Sequence, residues 1–464
     1  MSVTRDLRRD LGTVQSYAAL LGILIGAGIF RVTAEQGAIT GPSVILGYLV
    51  LLVPILATSV GYAVFLSTPL GLEPGGEYLH ISRTFGGSRV AFLGAWLKVI
   101  SYVGALVYLA NACADYMVRL SAGVLNGDHH RLPLALGCLV FFYVIHVVGV
   151  RWFGRIQVAM CSLLGLSLIV LILPGLTAVH TRNLQPFFTH GAAGFFASLP
   201  VLFFSYAGFE SLAQAAGEVK DSTRRLPGIF LKGILGTGLI FMLISIVAFG
   251  VLPLDQLHDS DAPMVEVASV YLPAGATAFV NLGVIMALMT SLNATMLVPS
   301  RLGVMLAEDN LAPRWLGAIN MSTGTPVRGL TLTLGIAAVL LVSGQLSLAL
   351  TVAVVALVIL YLLHSAALLA LPRRNPALFA SATSGIPLGM QRASAIVSII
   401  AMGGLIVLQA LRDLKVLSST SFMERLAGQS LTSLELVVFW SALGLLTFVL
   451  SRRGQAQASG ELGS

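Results

Sequence analysis

Long apolar runs recur along the whole chain, and they constrain its fold more than any other feature. Three of them, Val44–Phe65, Leu132–Val150 and Leu239–Leu252, contain no Asp, Glu, Lys or Arg. Only 10% of the 464 residues are charged, against about 25% in a soluble domain. This composition excludes a soluble enzyme, a disordered chain and a basic nucleic-acid-binding protein. Because a transmembrane helix needs about 20 apolar residues, the runs predict a polytopic helical membrane protein.

Twelve apolar stretches have the length of a transmembrane helix. They cover about residues 13–38, 42–67, 89–121, 133–150, 156–178, 193–217, 233–252, 275–306, 329–344, 347–371, 393–411 and 433–451. If the N-terminus is cytoplasmic, nineteen of the 27 Lys and Arg residues flank these spans on the cytoplasmic side and seven on the other. The positive-inside rule therefore predicts a multi-pass protein of the cell (inner) membrane with both termini in the cytoplasm.

Two of the predicted spans are interrupted at matching places. Span 1 carries Gly22, Gly26 and Gly28 at its middle, and span 6 carries small, polar and acidic residues in the run Phe203–Glu210. Glycine weakens a helix by about 1 kcal/mol relative to alanine, so both spans are expected to unwind there. The alternative interpretation is that the glycines only allow close helix packing. Gly26 and Tyr206 each lie 13 residues after the start of their span.

This matching offset predicts two repeats of five spans. The repeats cover residues 13–178 and 193–371, two further helices occupy 393–451, and short tails cover 1–12 and 452–464. Because five is an odd number, the two repeats have inverted topology. Paired interruptions in corresponding helices of an inverted repeat are the best sequence indication of a transporter's binding site at mid-membrane.

Unwound backbone at such a site predicts a definite ligand chemistry. The amides that begin the second half-helix suit a carboxylate, and the carbonyls that end the first suit an ammonium group or a small cation. Together they suit the zwitterion of an α-amino acid, with its carboxylate on the amides of residues 26–28. The amine is expected on the carbonyls of Leu24, Phe204 and Ala207. The predicted substrate-binding residues are Leu24, Ile25, Gly26, Ala27, Gly28, Ile29, Lys98, Ser101, Tyr102, Phe204, Ser205, Tyr206, Ala207 and Gly208.

Several short motifs occur in a fixed order along residues 10–450. They are IGAGIF (25–30), GP (41–42), GGEY (75–78), FGG (85–87), SYAGFES (205–211), GEVKDSTRRLP (217–227), DAPM (261–264), SLNA (291–294), SR (300–301) and GTPV (324–327). With these motifs the sequence resembles the amino acid–polyamine–organocation transporter family. The resemblance implies an all-α integral membrane fold of the LeuT type, with twelve transmembrane helices, a five-plus-five inverted repeat and two extra C-terminal helices. It also implies a substrate site between spans 1, 3, 6, 8 and 10.

The resemblance implies roles for single residues as well. Ala27 and Gly28 correspond to the family's carboxylate-binding amides, Phe204 to an aromatic gate, and Glu210 to a glutamate used in proton-linked release. The sequence departs from the family at two places. The span 5 stretch 162–165 lacks the lysine that stands in for a sodium ion in many members, and Val64 replaces a frequent acidic residue. The coupling ion therefore stays open between H⁺ and Na⁺, and no other cofactor is expected.

Three features allow two interpretations each. Glu210 either carries a coupling proton or accepts hydrogen bonds from backbone freed at the break. Lys98 either replaces a coupling cation or selects an anionic side chain, or else it extends toward the cytoplasmic headgroups. In span 8, the side chains of Thr290, Ser291 and Asn293 either face the carbonyls of span 1 as a sodium site or join helices. Together with the gating aromatic Phe204, these form the predicted set of coupling and gating residues.

The function expected from the sequence is secondary active transport of amino acids or related amines by alternating access, as an exchanger or a symporter. The apolar surroundings of the breaks favour a neutral, medium-to-large substrate side chain, unless Lys98 selects an acidic one. Two alternatives remain, a cation–chloride cotransporter on the same fold and a sensor that binds without transporting. An enzyme is not expected, because the spans contain no converging His/Asp or His/Cys cluster. The expected partners are the small-molecule substrate and membrane lipids, with a homodimer left open and no nucleic acid.

Overall fold

The computed structural model describes residues 7–26, 28–121, 124–125, 127–259, 262–344, 346–427 and 431–461. In this part of the chain the regular structure is helical, apart from two isolated β-bridges. The α-helices are α1 Thr13–Leu24, α2 Thr33–Thr40, α3 Val44–Leu66, α4 Glu77–Phe85, α5 Ser88–Leu120, α6 Gly127–Val148, α7 Val150–Thr177, α8 Gly191–Leu202, α9 Ser211–Gln214, α10 Ser222–Val251, α11 Leu254–Asp259, α12 Pro263–Tyr271, α13 Ala274–Glu308, α14 Val327–Val342, α15 Leu346–Arg374, α16 Pro376–Ala380, α17 Leu388–Ser419, α18 Phe422–Ala427 and α19 Ser433–Glu461.

Membrane-spanning helices dominate this architecture. Over the described residues, nine helical segments are long and apolar enough to cross a membrane, and three apolar helices are shorter. The shorter ones are α1, α14 and the apolar part of α19, Ser433–Val449. The prediction of an all-α integral membrane protein is confirmed. The exact number of twelve spans and the inverted repeat stay predictions.

Glycine and proline separate the first helices, as their backbone chemistry dictates. Gly41 ends α2 with φ at +71°, a conformation that glycine adopts without steric cost. A Cβ there would lie 2.2 Å from the hydroxyl oxygen of Thr189, so only glycine fits. Pro42 follows in a short 3₁₀ turn that leads into α3. The chain thus turns sharply at the GP motif between the first two predicted spans.

The long helix α13 lies at the centre of the packing, with α5 and α7 against it, and α5 also packs along α15. The short helix α1 packs against α7, α10 and α13. Most side chains in the middle of α13 are buried. A broken first span is therefore held against long continuous helices, and this arrangement positions the site.

Hydrogen bonds between loops define two ends of the bundle. At the end where α1 begins, here called the N-terminal end, Leu11 and Val219 form a parallel β-bridge. The Leu11 amide donates to the Glu218 carbonyl at 3.0 Å, and its carbonyl accepts from the Lys220 amide at 2.9 Å. At the other end, here called the opposite end, the Ser43 amide donates to the Phe187 carbonyl at 2.9 Å.

Candidate functional site

The first predicted interruption is a break in the helix. α1 ends at Leu24, and Ile25 leaves helical geometry with ψ at 74°. The chain resumes as a π-helix over Gly28–Val32 before α2 begins. Ala27 lies outside the described residues. The prediction that span 1 unwinds at its glycines is confirmed.

The second predicted interruption is also broken. α8 ends at Leu202 and passes into a 3₁₀ turn over Phe203–Tyr206. Ala207 is extended, with ψ at 149°, and Gly208 has φ at +101°, which favours glycine. Helix α9 then begins at Ser211. Both breaks leave helix ends whose backbone groups lack partners within the helix.

The two breaks lie against each other and against α13. A Cβ on Gly28 would lie 2.5 Å from the Cα of Ser205, and one on Gly26 would lie 2.2 Å from the hydroxyl oxygen of Ser291. Real Cβ atoms do not approach other atoms so closely. The glycines therefore lie where the helices break and also allow close packing, so the interpretation that they serve packing alone is wrong.

A small cavity lies between the breaks and helices α5, α13 and α15. Its volume is about 40 Å³, which is room for only a few water molecules. The predicted residues that line it are Leu24, Gly26, Gly28, Ser101, Tyr102, Phe204, Ser205, Ala207 and Gly208. The described part of the chain thus brings most of the predicted substrate-binding residues together around one cavity, in a conformation too tight for an amino acid.

Four predicted residues do not line this cavity. Ile25 and Ile29 are buried in the hydrophobic core. Tyr206 donates its hydroxyl to the Tyr48 carbonyl at 2.9 Å, so it packs behind the second break. Lys98 turns away toward α4. Lys98 shares a helix face with Ser101 and Tyr102 by spacing, but it lies one turn before them and its ammonium bonds to Glu77.

Other residues complete the lining and were not among the predicted substrate-binding residues. They are Ile23, Ala105, Leu109, Ser291, Thr295, Ala353 and Leu357. Ala105 and Leu109 follow Ser101 at four-residue steps, and Thr295 follows Ser291 in the same way, so helical spacing would have found them. Ala353 and Leu357 lie in the apolar helix α15, where no sequence signal separates a cavity-lining residue from a packed one.

The polar groups of the lining are uncharged. Ser101 donates to the Ala353 carbonyl at 2.9 Å, and Ser291 donates to the Gly22 carbonyl at 2.8 Å. The hydroxyl of Ser205 lies 3.1 Å from that of Tyr48. No Asp, Glu, Lys or Arg lines the cavity among the described residues. Peptide groups at the breaks and side-chain hydroxyls are therefore the polar surface that a ligand would meet, beside apolar side chains.

Glu210 follows the second break, two residues after Gly208, and its side chain is fully buried. Its carboxylate accepts hydrogen bonds from the Tyr102 hydroxyl at 2.6 Å, from the Gly208 amide at 3.0 Å and from the Tyr361 hydroxyl. The bond from Gly208 is the contact expected of an acid that satisfies backbone freed at a break. Tyr102 and Gly208 also line the cavity. Glu210 therefore contacts the cavity indirectly, through the two lining residues that donate to it.

Lys98 forms a buried ion pair with Glu77. Their atoms Nζ and Oε2 are 2.6 Å apart, and the side chains are 1% and 0% exposed. Glu77 also accepts from Gln214 at 3.0 Å and from the Tyr62 hydroxyl. The hypothesis that Lys98 extends to the headgroups is wrong, because its ammonium is buried on a carboxylate. The carboxylate of Glu77 thus connects α4 to three other helices, to α3 through Tyr62, to α5 through Lys98 and to α9 through Gln214.

The span 8 side chains connect α13 to α1 and α7. Thr290 donates to the Gly22 carbonyl at 3.0 Å, and Ser291 donates to those of Gly22 and Ile23 at 2.8 and 3.2 Å. Asn293 does not face span 1. It donates to the side chain of Gln157 at 2.7 Å. In this conformation the hydroxyls join helices, as one of the two interpretations predicted.

Gln157 is a bridging residue that the sequence analysis missed. Its side-chain amide donates to the carbonyls of Ala18 at 3.1 Å and Thr290 at 3.2 Å. It lies five residues before the stretch 162–165, which lacks the lysine found in many family members. A neutral amide donor thus occupies the place where α1, α7 and α13 meet.

Two ion pairs close the N-terminal end. Glu218 and Arg301 are both fully buried, with 2.8 Å between Oε1 and Nη2. Nearer the surface, Arg83 pairs with Asp309 at 3.1 Å, and Tyr78 donates to the same carboxylate at 2.5 Å. Burial and the Asp309 carboxylate raise the pKa of Tyr78, so its hydroxyl stays protonated and donates. In the segment 217–227, Arg225 pairs with Asp221 at 2.8 Å and donates to the Thr13 hydroxyl of α1 at 3.1 Å.

At the opposite end a second cavity adjoins the central one. It measures about 270 Å³ and is lined by residues that include Val32, Gln409, Arg412 and Ser433. Phe204 lines both cavities. Phe204 therefore lies between the central cavity and a larger space toward the opposite end, which is the position of a gate.

Comparison with known proteins agrees with this geometry. The family model described as amino acid permease matches residues 11–423. The chain is 27% identical over 335 residues to cationic amino acid transporter 1 of Arabidopsis thaliana, a match that covers 69% of this chain and 55% of that protein. The chain thus spans about half the length of this plant relative.

Two bacterial relatives are matched over more of their length. Identity is 24% over 343 residues to the branched-chain amino acid permease of Bacillus subtilis, covering 69% of this chain and 72% of that protein. It is 25% over 348 residues to the methylthioribose transporter of the same organism, covering 72% and 74%. The family and these relatives are transporters and not enzymes. With a family model that matches nearly the whole sequence, the chain belongs to the amino acid permease family, as its motifs predicted.

Proposed function

We propose that this permease is a secondary active transporter of neutral α-amino acids with apolar side chains. The observation that carries the proposal is the cavity between the two broken helices, which combines peptide groups with apolar and hydroxyl-bearing side chains. Peptide dipoles suit the two charges of a zwitterion, whereas a charged substrate side chain would need a partner of opposite charge. The described lining supplies none.

The nearby ionisable groups support this choice of substrate. Lys98 is neutralised by Glu77 at 2.6 Å, so it is not available to an acidic substrate. Glu210 already accepts three hydrogen bonds, so it is a poor partner for a cationic side chain. Among the relatives, the branched-chain amino acid permease has the substrate that fits such a lining, and the cationic amino acid transporter does not.

The proposed mechanism is alternating access in a fold of twelve spans. The two repeats, 13–178 and 193–371, would be inverted copies, with spans 1 and 6 rocking against spans 3, 4, 8 and 9. The N-terminal end would face the cytoplasm of a cell (inner) membrane. Support comes from closure of that end by the Glu218–Arg301 pair and from Phe204 between the two cavities. The coupling ion, H⁺ or Na⁺, is part of what the experiment must decide.

The test is a thermal-shift screen of purified protein against all amino acids, common polyamines and methylthioribose, followed by uptake into proteoliposomes. We expect leucine, isoleucine, valine, methionine or phenylalanine to raise the unfolding temperature, and lysine, arginine and glutamate to leave it unchanged. Uptake of each hit is then measured with and without sodium, a proton gradient or internal substrate. Stabilisation by lysine or by polyamines alone would contradict the proposed substrate, and binding without flux would make the protein a sensor.

A further inference from the structure

Two adjoining apolar cavities lie on the flank of the bundle, away from the substrate cavity. The inner one measures about 470 Å³ and lies between α5, α13, α14 and α19. The outer one measures about 710 Å³ and follows α14. Leu332 and Ile336 line both, so the two spaces adjoin at these side chains of α14. Their volumes are in the range of about 300–1,000 Å³ that is usual for small-molecule sites.

The wall of the inner cavity is fixed by a pair of tryptophans. The indole N–H of Trp96 donates to the Trp440 carbonyl at 2.9 Å, and that of Trp440 donates to the Trp96 carbonyl at 2.9 Å. Their rings stack with centroids 4.9 Å apart. This reciprocal contact joins α5 to α19, so the cavity is bounded by a rigid wall rather than by loosely packed side chains.

Glycines leave the space open from the other side. Gly303 on α13 lines the inner cavity, Gly335 on α14 lines the outer one, and a Cβ on either would meet no atom within 4 Å. A side chain added at these positions would therefore enter the cavity without a backbone clash. Substitution of either glycine by a larger residue would therefore fill part of the cavity.

A basic, aromatic rim closes the outer cavity at the N-terminal end. Arg328 and Trp315 line it there, beside Arg314. Both arginines are exposed, and within the described part of the chain neither forms an ion pair. Tryptophan is typical of the membrane–water boundary. Unpaired arginines beside such a boundary attract anionic headgroups.

We propose that these two cavities together bind one anionic phospholipid. An acyl chain would fill the inner cavity against Trp96 and Gly303, and the phosphate would lie at Arg328. Charge complementarity selects this occupant, because the lining is mostly apolar and its one charged residue among those described, Arg328, lies at the N-terminal end. A second copy of the chain fits less well, since the inner cavity is recessed between four helices and admits a flexible chain more readily than a helix face.

The experiment is native mass spectrometry of the full-length protein in detergent with equal amounts of phosphatidylglycerol and phosphatidylcholine of identical chains. We expect one phosphatidylglycerol retained per protein. Gly303→Leu should abolish retention, and Arg328→Gln should reduce the preference for the anionic lipid about fivefold, the contribution of one arginine near a membrane surface. The matched controls are Gly165→Leu, whose Cβ also meets open space, and the exposed Arg392→Gln.

Each alternative outcome is distinguishable. Equal retention of both lipids, or no effect of Gly303→Leu, would overturn the proposal, and so would a dimer without lipid, which would make the surface an interface between two copies. Displacement of the lipid by inorganic phosphate would show an anion site and not a lipid site. If Gly303→Leu fails to fold, Gly335→Leu takes its place. Lipid retention is measured without transport, so it does not depend on the proposed substrate.

Discussion

At the scale of single residues, Lys98 shows how a buried charge is kept. Its ammonium lies 2.6 Å from the Glu77 carboxylate, and both side chains are at most 1% exposed. Tyr62 and Gln214 complete the hydrogen bonding of Glu77. Such a pair is stable only while both members are present, because a lone ion in an apolar interior is costly. The pair and Gln214 therefore fix α4 on α5 and α9, and neither Lys98 nor Glu77 lines the central cavity.

Lys98→Met should destabilise the protein without changing its substrate preference. Removing one partner of a buried pair costs about 3–5 kcal/mol, because Glu77 is then left as an unpaired anion. The double variant Lys98→Met/Glu77→Gln should recover much of this loss, since no charge remains. Thermal unfolding measures the stability and competition for uptake measures the preference. A changed preference in the double variant would show that Lys98 acts on the substrate after all.

Gly28→Ala should abolish ligand binding, because the added Cβ would lie 2.5 Å from the Cα of Ser205. That atom belongs to the backbone of the second break and cannot move without moving the break itself. The control is Gly165→Ala, where a Cβ meets nothing within 4 Å. Ligand-induced thermal shift is the measurement. Normal binding by Gly28→Ala would mean that the two breaks do not pack in the binding conformation as they do here.

At the scale of elements, the two breaks could be predicted because their cause is local. Glycines at 22, 26 and 28, and the polar run around Tyr206, weaken a helix wherever they occur, and the chain leaves helical geometry at both places. The partners of Lys98 and of Asn293 could not be predicted in this way. Glu77 reaches Lys98 from α4, and Gln157 reaches Asn293 from α7, so those contacts depend on how separate helices pack.

Glu210→Gln tests the hydrogen bonds that join the second break to α5 and α15, through Tyr102 and Tyr361. Glutamine offers one acceptor oxygen, so its NH₂ group would face either the Gly208 amide or a tyrosine hydroxyl that now donates to the carboxylate. We expect weaker uptake and a loss of its pH dependence. Tyr361→Phe is the control, because it removes one donor worth about 0.5–1.5 kcal/mol and keeps the carboxylate. If Glu210→Gln takes up substrate as fast as the parent chain at every pH, with the same pH dependence, this residue is not part of the mechanism.

At the scale of the whole molecule, the two ends of the central cavity are closed differently. Toward the opposite end, Phe204 lines both this cavity and the space of about 270 Å³. Toward the N-terminal end, the closure consists of the Leu11–Val219 bridge and the buried pair of Glu218 and Arg301. The described contacts that close the N-terminal end are thus polar and charged, whereas an aromatic side chain lies between the cavities toward the opposite end.

Arg301→Met should shift the protein toward a conformation open at the N-terminal end. The change leaves the Glu218 carboxylate buried without its partner, and opening that end lets water reach it. Because an unpaired buried ion costs about 3–5 kcal/mol, the gain on opening is enough to change the ratio of the two states about tenfold or more. Cysteine introduced at Thr295 in a chain whose native cysteines are replaced by alanine reports this shift. It should react faster with a water-soluble maleimide added at the N-terminal side.

Two further variants separate charge from loss of packing in this experiment. Arg301→Met/Glu218→Met has no buried charge and should label as slowly as the parent chain, because nothing is gained by admitting water. Arg225→Met breaks an exposed pair with Asp221, and exposed pairs contribute about 0–1 kcal/mol, so its labelling should not change. If the double variant labels as fast as Arg301→Met, the loss of packing and not the unpaired charge on Glu218 opens the end. Access to the cavity then does not depend on the ion pair's charges.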